Sequence, residues 1–284
     1  MNAPPGTTRH PKSTASSNIG PDETDGSERI AKFLARAGVC SRRDAERLIE
    51  EKRVRVNGLL LDTPAFKVNP SDKIMVDGKP IAQPEQTRLW RYHKPNGLVT
   101  THRDPQDRPT VFQHLPPNLP RVVSIGRLDL NSEGLLLLTN DGGLARVLEL
   151  PATGWVRRYR VRAYGRITQE ELNSLAKGIT VDGITYGPIE VVLEKGERTN
   201  SWMMVSLKEG KNREIRRVLE AIGLKVNRLI RVSYGPFQLS KMLPGVVEEV
   251  PTKHLRDHLG AIYAPARAPS RRAHSSTKPT KAAT

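Results

Sequence analysis

The stretch Val122–Gly142, VVSIGRLDLNSEGLLLLTNDG, decides how this chain is read. Val122, Val123 and Ile125 lead into Gly126, a basic residue and a carboxylate follow at Arg127 and Asp129, and four leucines run on toward Asn140-Asp141-Gly142. Two apolar runs around a polar, glycine-marked bend predict strand, turn, strand, with the bend at one edge of a sheet. Side chains on such a bend suit chemistry, because buried elements hold them where solvent and ligands reach. Asp129 and Ser132 are also ordinary residues for tying a turn through local hydrogen bonds. Local pattern alone favours that plainer role.

Composition sets the outer bounds. Of 284 residues, 46 are Lys or Arg and 30 are Asp or Glu, a formal net charge of +16. Such a field attracts polyanions, with nucleic acid first and an anionic membrane surface second. Aromatic residues make up only 5% of the chain, which argues against a broad base-stacking platform and leaves phosphate contacts to supply affinity. Cys40 is the single cysteine, so an intrachain disulfide and a cysteine-rich zinc site are excluded, and a reducing, cytoplasmic setting fits. No apolar run of about 18 residues exists to span a bilayer, and the N-terminus lacks a secretory core. The expectation is a soluble, intracellular protein with no membrane partner.

Outward from the central stretch, the chain divides by composition. Residues 1–27 are rich in Pro, Ser, Thr and Gly and cannot bury enough surface to fold, so a disordered tail is expected. Ser27 suits the N-cap of a helix in ERIAKFLARAG, with Ile30, Phe33, Leu34 and Ala37 on one face and Gly38 at its stop. Ser41 opens a second helix that turns Ala45, Leu48 and Ile49 inward and displays Arg42, Arg43 and Arg47. Short strands with Asn57-Gly58 and Asp77-Gly78 turns complete a unit over 28–81. AQPEQT, 82–87, reads as a linker.

Residues 88–260 mix strands and helices. Pro95-Asn96-Gly97 turns after a first strand, where a lone Lys94 faces solvent by default or meets phosphate. A proline-rich basic loop follows, with a short helix near 111–114. In VRRYRVRAYG, Val156, Arg158, Arg160 and Arg162 point one way and Arg157, Tyr159 and Val161 the other. Periodicity gives Tyr159 no role beyond core packing. Thr168 and Glu171 form a capping box. The helix EIRRVLEAIG buries Ile215, Val218, Leu219 and Ile222 and crowds Arg213, Arg216 and Arg217 at its N-terminus, where cations oppose the helix dipole and so point to an anionic partner. Residues 261–284 form an expected basic, disordered tail that adds nonspecific RNA affinity.

Metal, nucleotide and hydrolase chemistries lack support. The histidines are scattered, and no GxxxxGK[ST], GxGxxG or GxSxG segment is present. Asp129 and Glu133, four apart along a turn, do not establish a glycosidase pair.

Two resemblances sharpen this reading. ERIAKFLARAGVCSRRDAERLIEEKRVRVNG, 28–58, resembles the S4 RNA-binding domain, whose helix pair faces structured RNA; this implies RNA contacts at Arg29, Arg36, Ser41, Arg42, Arg43 and Arg47. GRLDLNSEGLLLLTNDG, with KPNG at 94–97, RRYRV around Tyr159 and EGKNREIRRV at 209–218, resembles the RsuA-type pseudouridine synthases, most closely the branch acting on large-subunit (23S) ribosomal RNA.

That second resemblance implies an isomerase. Asp129 would be the catalytic carboxylate, Tyr159 the aromatic that stacks on the base and accepts a proton, and Arg216 the partner of the carboxylate, with Ile215 packing near the base. Lys94, Arg127 and Arg213 stand as further substrate-binding candidates, and no chemical step falls to Arg127 or Glu133. No metal or cofactor is implied, and a monomer acting on ribosomal RNA or its assembly intermediate is expected. The fold expected is α+β: a small S4-like unit, then a mixed, mainly antiparallel sheet domain. The rival is a noncatalytic RNA-binding or ribosome-assembly factor in which Asp129 only caps a turn. Convergence of Asp129, Tyr159 and Arg216 on one pocket discriminates between the two.

Overall fold

The computed structural model describes residues 26–196 and 199–260. The tails expected to be disordered lie outside the described residues, apart from Gly26 and Ser27. The chain divides into two compact units, Met1–Gln83 and Pro84–Thr284.

In the N-terminal unit the expected first helix starts later than Ser27. Glu28–Arg29 form a two-residue strand (β1) before helix α1, Ile30–Arg36. Extended backbone wins there because β1 pairs with Lys67–Val68 (β4 below), and Arg29 takes the N-cap position without a side-chain cap. Helix α2, Arg42–Glu50, follows the expected chemistry: the Ser41 hydroxyl accepts from the Asp44 N–H at 3.1 Å. Strands β2 (Val54–Val56), β3 (Leu59–Leu60), β4, β5 (Ile74–Val76) and β6 (Lys79–Pro80) complete the unit. The two Asx-Gly turns join hairpins β2–β3 and β5–β6, with Asn57 and Asp77 both left-handed, at φ 51° and 50°. Ile30, Phe33, Leu34, Ala45, Ile49, Val54 and Ile74 share one core.

The C-terminal unit runs through β7 (Leu89–Lys94), β8 (Val123–Ile125), β9 (Glu133–Thr139), α3 (Gly142–Glu149), β10 (Arg157–Tyr164), α4 (Gln169–Asn173), β11 (Ile179–Val181) and β12 (Ile184–Tyr186). It continues with β13 (Ile189–Gly196), β14 (Asn200–Leu207), α5 (Glu214–Ala221), β15 (Lys225–Tyr234), β16 (Phe237–Gln238), β17 (Val247–Glu249) and α6 (Thr252–Leu259). A nine-stranded sheet has the main order β13-β14-β10-β15-β9-β7-β17, with β8 on β9 and β16 on β15. Every pairing in it is antiparallel except β15 with β9. Mixed sheets and helices make the chain α+β, as expected. No helix among the described residues is long and apolar enough to cross a membrane.

The central leucines explain why β9 reads as an unbroken apolar run. Leu136 and Leu138 enter one core with Trp90, Tyr92, Tyr159 and Val161, while Leu135 and Leu137 enter a second with Leu144, Leu148, Tyr234 and Leu255. A strand covered on both faces has no solvent side on which to place polar residues. Each such leucine contributes about 1.5–3 kcal/mol by leaving water. Farther along the sheet, β10 does alternate: Arg157, Tyr159, Val161 and Ala163 are buried, Arg158, Arg160 and Tyr164 exposed. Between these regions the parallel contact sets Gly134 against Arg231. Gly134 has φ 101°, and a Cβ there would collide with the Arg231 backbone carbonyl.

Candidate active site

Residues 126–132 form the predicted bend between antiparallel strands β8 and β9, and hydrogen bonds from several directions fix it. Gly126 donates to Glu149 Oε1 at 2.7 Å, and the Thr100 hydroxyl donates to the Leu128 carbonyl at 2.9 Å. Gly97 N–H donates to the Leu130 carbonyl at 2.9 Å, and Ser132 N–H to the Asp129 carbonyl at 3.0 Å. The Asp129 carboxylate is left facing a cavity of about 480 Å³. Arg127, Leu128 and Ser132 also line it.

Three further segments supply most of the walls. From β10 come Arg157 and Tyr159; from β15 come Leu229, Arg231 and Tyr234; from the start of α5 and its preceding loop come Lys211, Asn212, Arg213, Glu214 and Ile215. The register of β10 on β15 shifts between Arg158 and Tyr159, an irregularity of the kind that re-aims a side chain beside a site. Tyr159 is 8% exposed, and among the described residues its hydroxyl has no hydrogen-bond partner. Arg213, left-handed at φ 51°, places its guanidinium 3.8 Å from the Asp129 carboxylate.

The structure thus gathers Asp129, Tyr159, Ile215, Arg127 and Arg213 around one cavity. Two sequence expectations need correction. Arg216 does not pair directly with Asp129: its Nη2 donates to the Asn131 carbonyl at 2.7 Å and its Nη1 to the Val226 carbonyl at 3.1 Å. Backbone acceptors claim that guanidinium because Arg216 lies half-buried behind the bend, and Arg213 takes the place beside the carboxylate. Burial lowers the Arg216 pKa, the Arg213 charge lowers it further, and Asp129 opposes both.

Lys94 is the second correction. It meets neither solvent nor the cavity, being fully buried with Nζ donating to the carbonyls of Ser132 at 2.8 Å and Pro95 at 3.0 Å. Burial brings its pKa down to about 8, against the opposing pull of Asp129 and Glu133. An ammonium enclosed by carbonyls serves as a clamp under the bend, not as a surface phosphate contact.

Several wall residues escaped the sequence reading. Glu214 is 3% exposed, its Oε2 accepts from Lys211 N–H at 2.8 Å, and its Oε1 is buried without a hydrogen-bond partner among the described residues. Burial pushes its carboxyl up to about 7, with the neighbouring Glu209 adding to the rise. Arg157 is buried and donates to the Tyr234 hydroxyl at 3.0 Å; that hydroxyl donates on to the Leu148 carbonyl at 2.9 Å. The signal for Arg157 was present in the alternation of β10, and for Arg231 in the Leu229, Arg231, Ser233 face of β15.

Within the N-terminal unit the six RNA-contact candidates differ. Arg29, Arg42 and Arg43 are exposed and carry no ion pair among the described residues. Arg36 is paired with Glu28 at 2.8 Å and Arg47 with Asp44 at 2.9 Å. The Ser41 hydroxyl is engaged at the start of α2, donating to the Asp44 carboxylate at 2.7 Å.

Comparison with known proteins agrees with this architecture. The family model described as RNA pseudouridylate synthase matches residues 88–221, and the S4 domain model matches residues 28–74. An uncharacterized RNA pseudouridine synthase of Rickettsia felis is 53% identical over 228 residues, covering 80% of this chain and 99% of its relative. Ribosomal large subunit pseudouridine synthase B of Salmonella typhi is 42% identical over 224 residues, 77% of each chain. A crystal structure of a pseudouridylate synthase shares the fold, with a TM-score of 0.58 at 23% identity over 81% of this chain and 99% of that one. The chain therefore belongs to the RNA pseudouridine synthase family and carries an S4 domain at its N-terminal end.

Proposed function

We propose that this enzyme isomerises a uridine of large-subunit (23S) ribosomal RNA, with Asp129 as the nucleophile. The observation that carries the assignment is the convergence of the Asp129 carboxylate, the unpartnered Tyr159 hydroxyl and the Arg213 guanidinium on one cavity. The choice of RNA follows from the likeness to the large-subunit enzyme of Salmonella typhi. A monomer working in the cytoplasm is part of the same proposal.

The chemistry fits the geometry. A target nucleotide must leave its stack to reach a cavity of this kind. Asp129 bonds to C1′ as the C1′–N1 bond breaks, and the ring keeps the electron pair. The ring turns, C5 bonds to C1′ and the carboxylate is released. The proton on C5 then leaves, with Tyr159 in the cavity wall as its acceptor, while N1 gains one. Arg213 is the cation beside that carboxylate, 3.8 Å away. Arg216 and Lys94 position the bend through the carbonyls of Asn131 and Ser132. Exposed Arg29, Arg42 and Arg43 supply phosphate contacts that orient the RNA without reading its sequence.

The test replaces Asp129 with Asn in the cell and maps pseudouridine in ribosomal RNA by chemical labelling and primer extension. Loss of one or a few sites, with RNA binding retained by the purified variant, is expected. An unchanged map would sink the assignment of Asp129.

A further inference from the structure

One donor in the cavity is used by none of these steps. Arg231 lies on β15 as the cross-strand partner of Tyr159 and is 2% exposed. Its Nε donates to the Leu135 carbonyl at 2.7 Å, and its guanidinium sits over the Tyr234 ring, 5.1 Å from the centroid. Its Nη2 is buried with no hydrogen-bond partner among the described residues. Arg157, on the other hand, has both terminal nitrogens engaged, one on the Lys208 carbonyl and the other on the Tyr234 hydroxyl. A buried guanidinium nitrogen without an acceptor is costly enough that proteins rarely keep one unless something completes it.

The surroundings define what would complete it. Arg231 lines the cavity together with Asp129, Tyr159, Ile215, Leu207 and Leu229. Arg127, Lys211 and Arg213 also line the cavity, on the bend and on the loop before α5, but the neighbours of Arg231 on the sheet are Tyr159 across the strand pair and Leu229 on its own strand, which favour a flat ring with carbonyl oxygens, while the Asp129 carboxylate opposes a phosphate.

We propose that Arg231 receives the target base: its Nη2–H donates to a carbonyl oxygen of the flipped uracil. It thereby stabilises the negative charge that the ring gains when the C1′–N1 bond breaks and the electron pair stays with the base. The carbonyl is neutral in the bound substrate and partly anionic in the transition state. A fixed guanidinium therefore binds the second more tightly than the first, which is the condition for acceleration. The proposal rests on the Asp129 cavity being the place of reaction.

The experiment uses full-length protein and an RNA oligonucleotide carrying the uridine located by the Asp129→Asn mapping. Parallel RNAs carry 2-thiouridine or 4-thiouridine at that position, since sulfur is the poorer hydrogen-bond acceptor. Single-turnover product formation should fall about 10²–10³-fold in Arg231→Met. The dissociation constant for RNA should move less than about threefold, because phosphate contacts dominate affinity. Wild type should lose rate on one of the two thio substrates, and Arg231→Met should show no such loss on either. A rate within about threefold of wild type, or equal thio effects in both enzymes, would overturn the proposal and leave Arg231 a packing residue. If Arg231→Met does not fold, Arg231→Gln decides by rate per folded molecule, with a loss of at least about tenfold expected and a smaller one counting against. Asp129→Asn run alongside separates the two readings. Full activity there moves the reaction elsewhere, whereas an inactive Asp129→Asn beside a fully active Arg231→Met removes Arg231 alone.

Discussion

The ammonium of Lys94 lies 2.8 Å from the carbonyl oxygen of Ser132, so a cation on β7 is the internal post around which the Asp129 bend turns. Removing it would leave the carbonyls of Ser132 and Pro95 without their donor.

Lys94→Met should destabilise the protein by about 2–4 kcal/mol, the range for breaking a buried polar network. Urea unfolding checks this. Single-turnover rate should fall by about tenfold or more as the bend loosens. RNA affinity and its salt slope should hold, because the ammonium is fully buried. A reduced salt slope would instead make Lys94 a phosphate contact.

Arg213 and Arg216 should separate by readout. The Arg213 and Asp129 side chains are 48% and 31% exposed, so Arg213→Ala should cost stability no more than about 1 kcal/mol. Its effect belongs in the rate, rising toward wild type with Arg213→Lys. Arg216→Ala strips donors from the Asn131 and Val226 carbonyls and should lower stability by about 1–3 kcal/mol. Equal thermal shifts for the two variants would contradict the division.

Glu214 should make stability depend on pH near neutrality. Its pKa is raised in the folded state to about 7, chiefly by burial, so the folded protein holds that proton more tightly than the unfolded chain. The contribution is therefore complete below the unfolded carboxylate pKa and is lost as pH rises through about 7. Chemical denaturation at a series of pH values between 5 and 8 should show this decline. Glu214→Gln, which keeps an uncharged amide there, should flatten it. A wild-type curve already flat across that window would remove the effect.

Arg42→Glu combined with Arg43→Glu should weaken RNA binding without altering the fold, since both side chains are exposed. Each lost phosphate contact reduces the slope of log K against log salt by about 1. Filter binding between 50 and 200 mM salt is the check. An identical slope would take this face of α2 out of the RNA interface.

Much of this was legible where a residue's neighbours in sequence are also its constraints. Gly126 and the apolar runs beside it announce strand, turn, strand; Ser41 with Asp44 and Thr168 with Glu171 announce helix starts. Alternation placed Arg157 with Tyr159 on the inner face of β10. What stayed hidden depends on distant partners. Glu28–Arg29 extends only because Lys67–Val68 lies beside it. A lone Lys94 reads as solvated until the 130–132 bend closes over it, and Arg216 reads as a carboxylate partner until the Asn131 carbonyl arrives first. Asp129 stood out only through landmarks far away in the chain.

Four consecutive leucines also carry a hidden ambiguity. Sliding β9 by one residue would exchange leucine for leucine at three of its seven positions, so hydrophobic patterning does little to index the strand. Gly134 removes the ambiguity, because only a residue without a side chain fits where Arg231 crosses. That contact sets the phase of the strand, and with it the position of Asp129 five residues upstream. The reach of the carboxylate into the cavity is thus gauged by a missing methyl group.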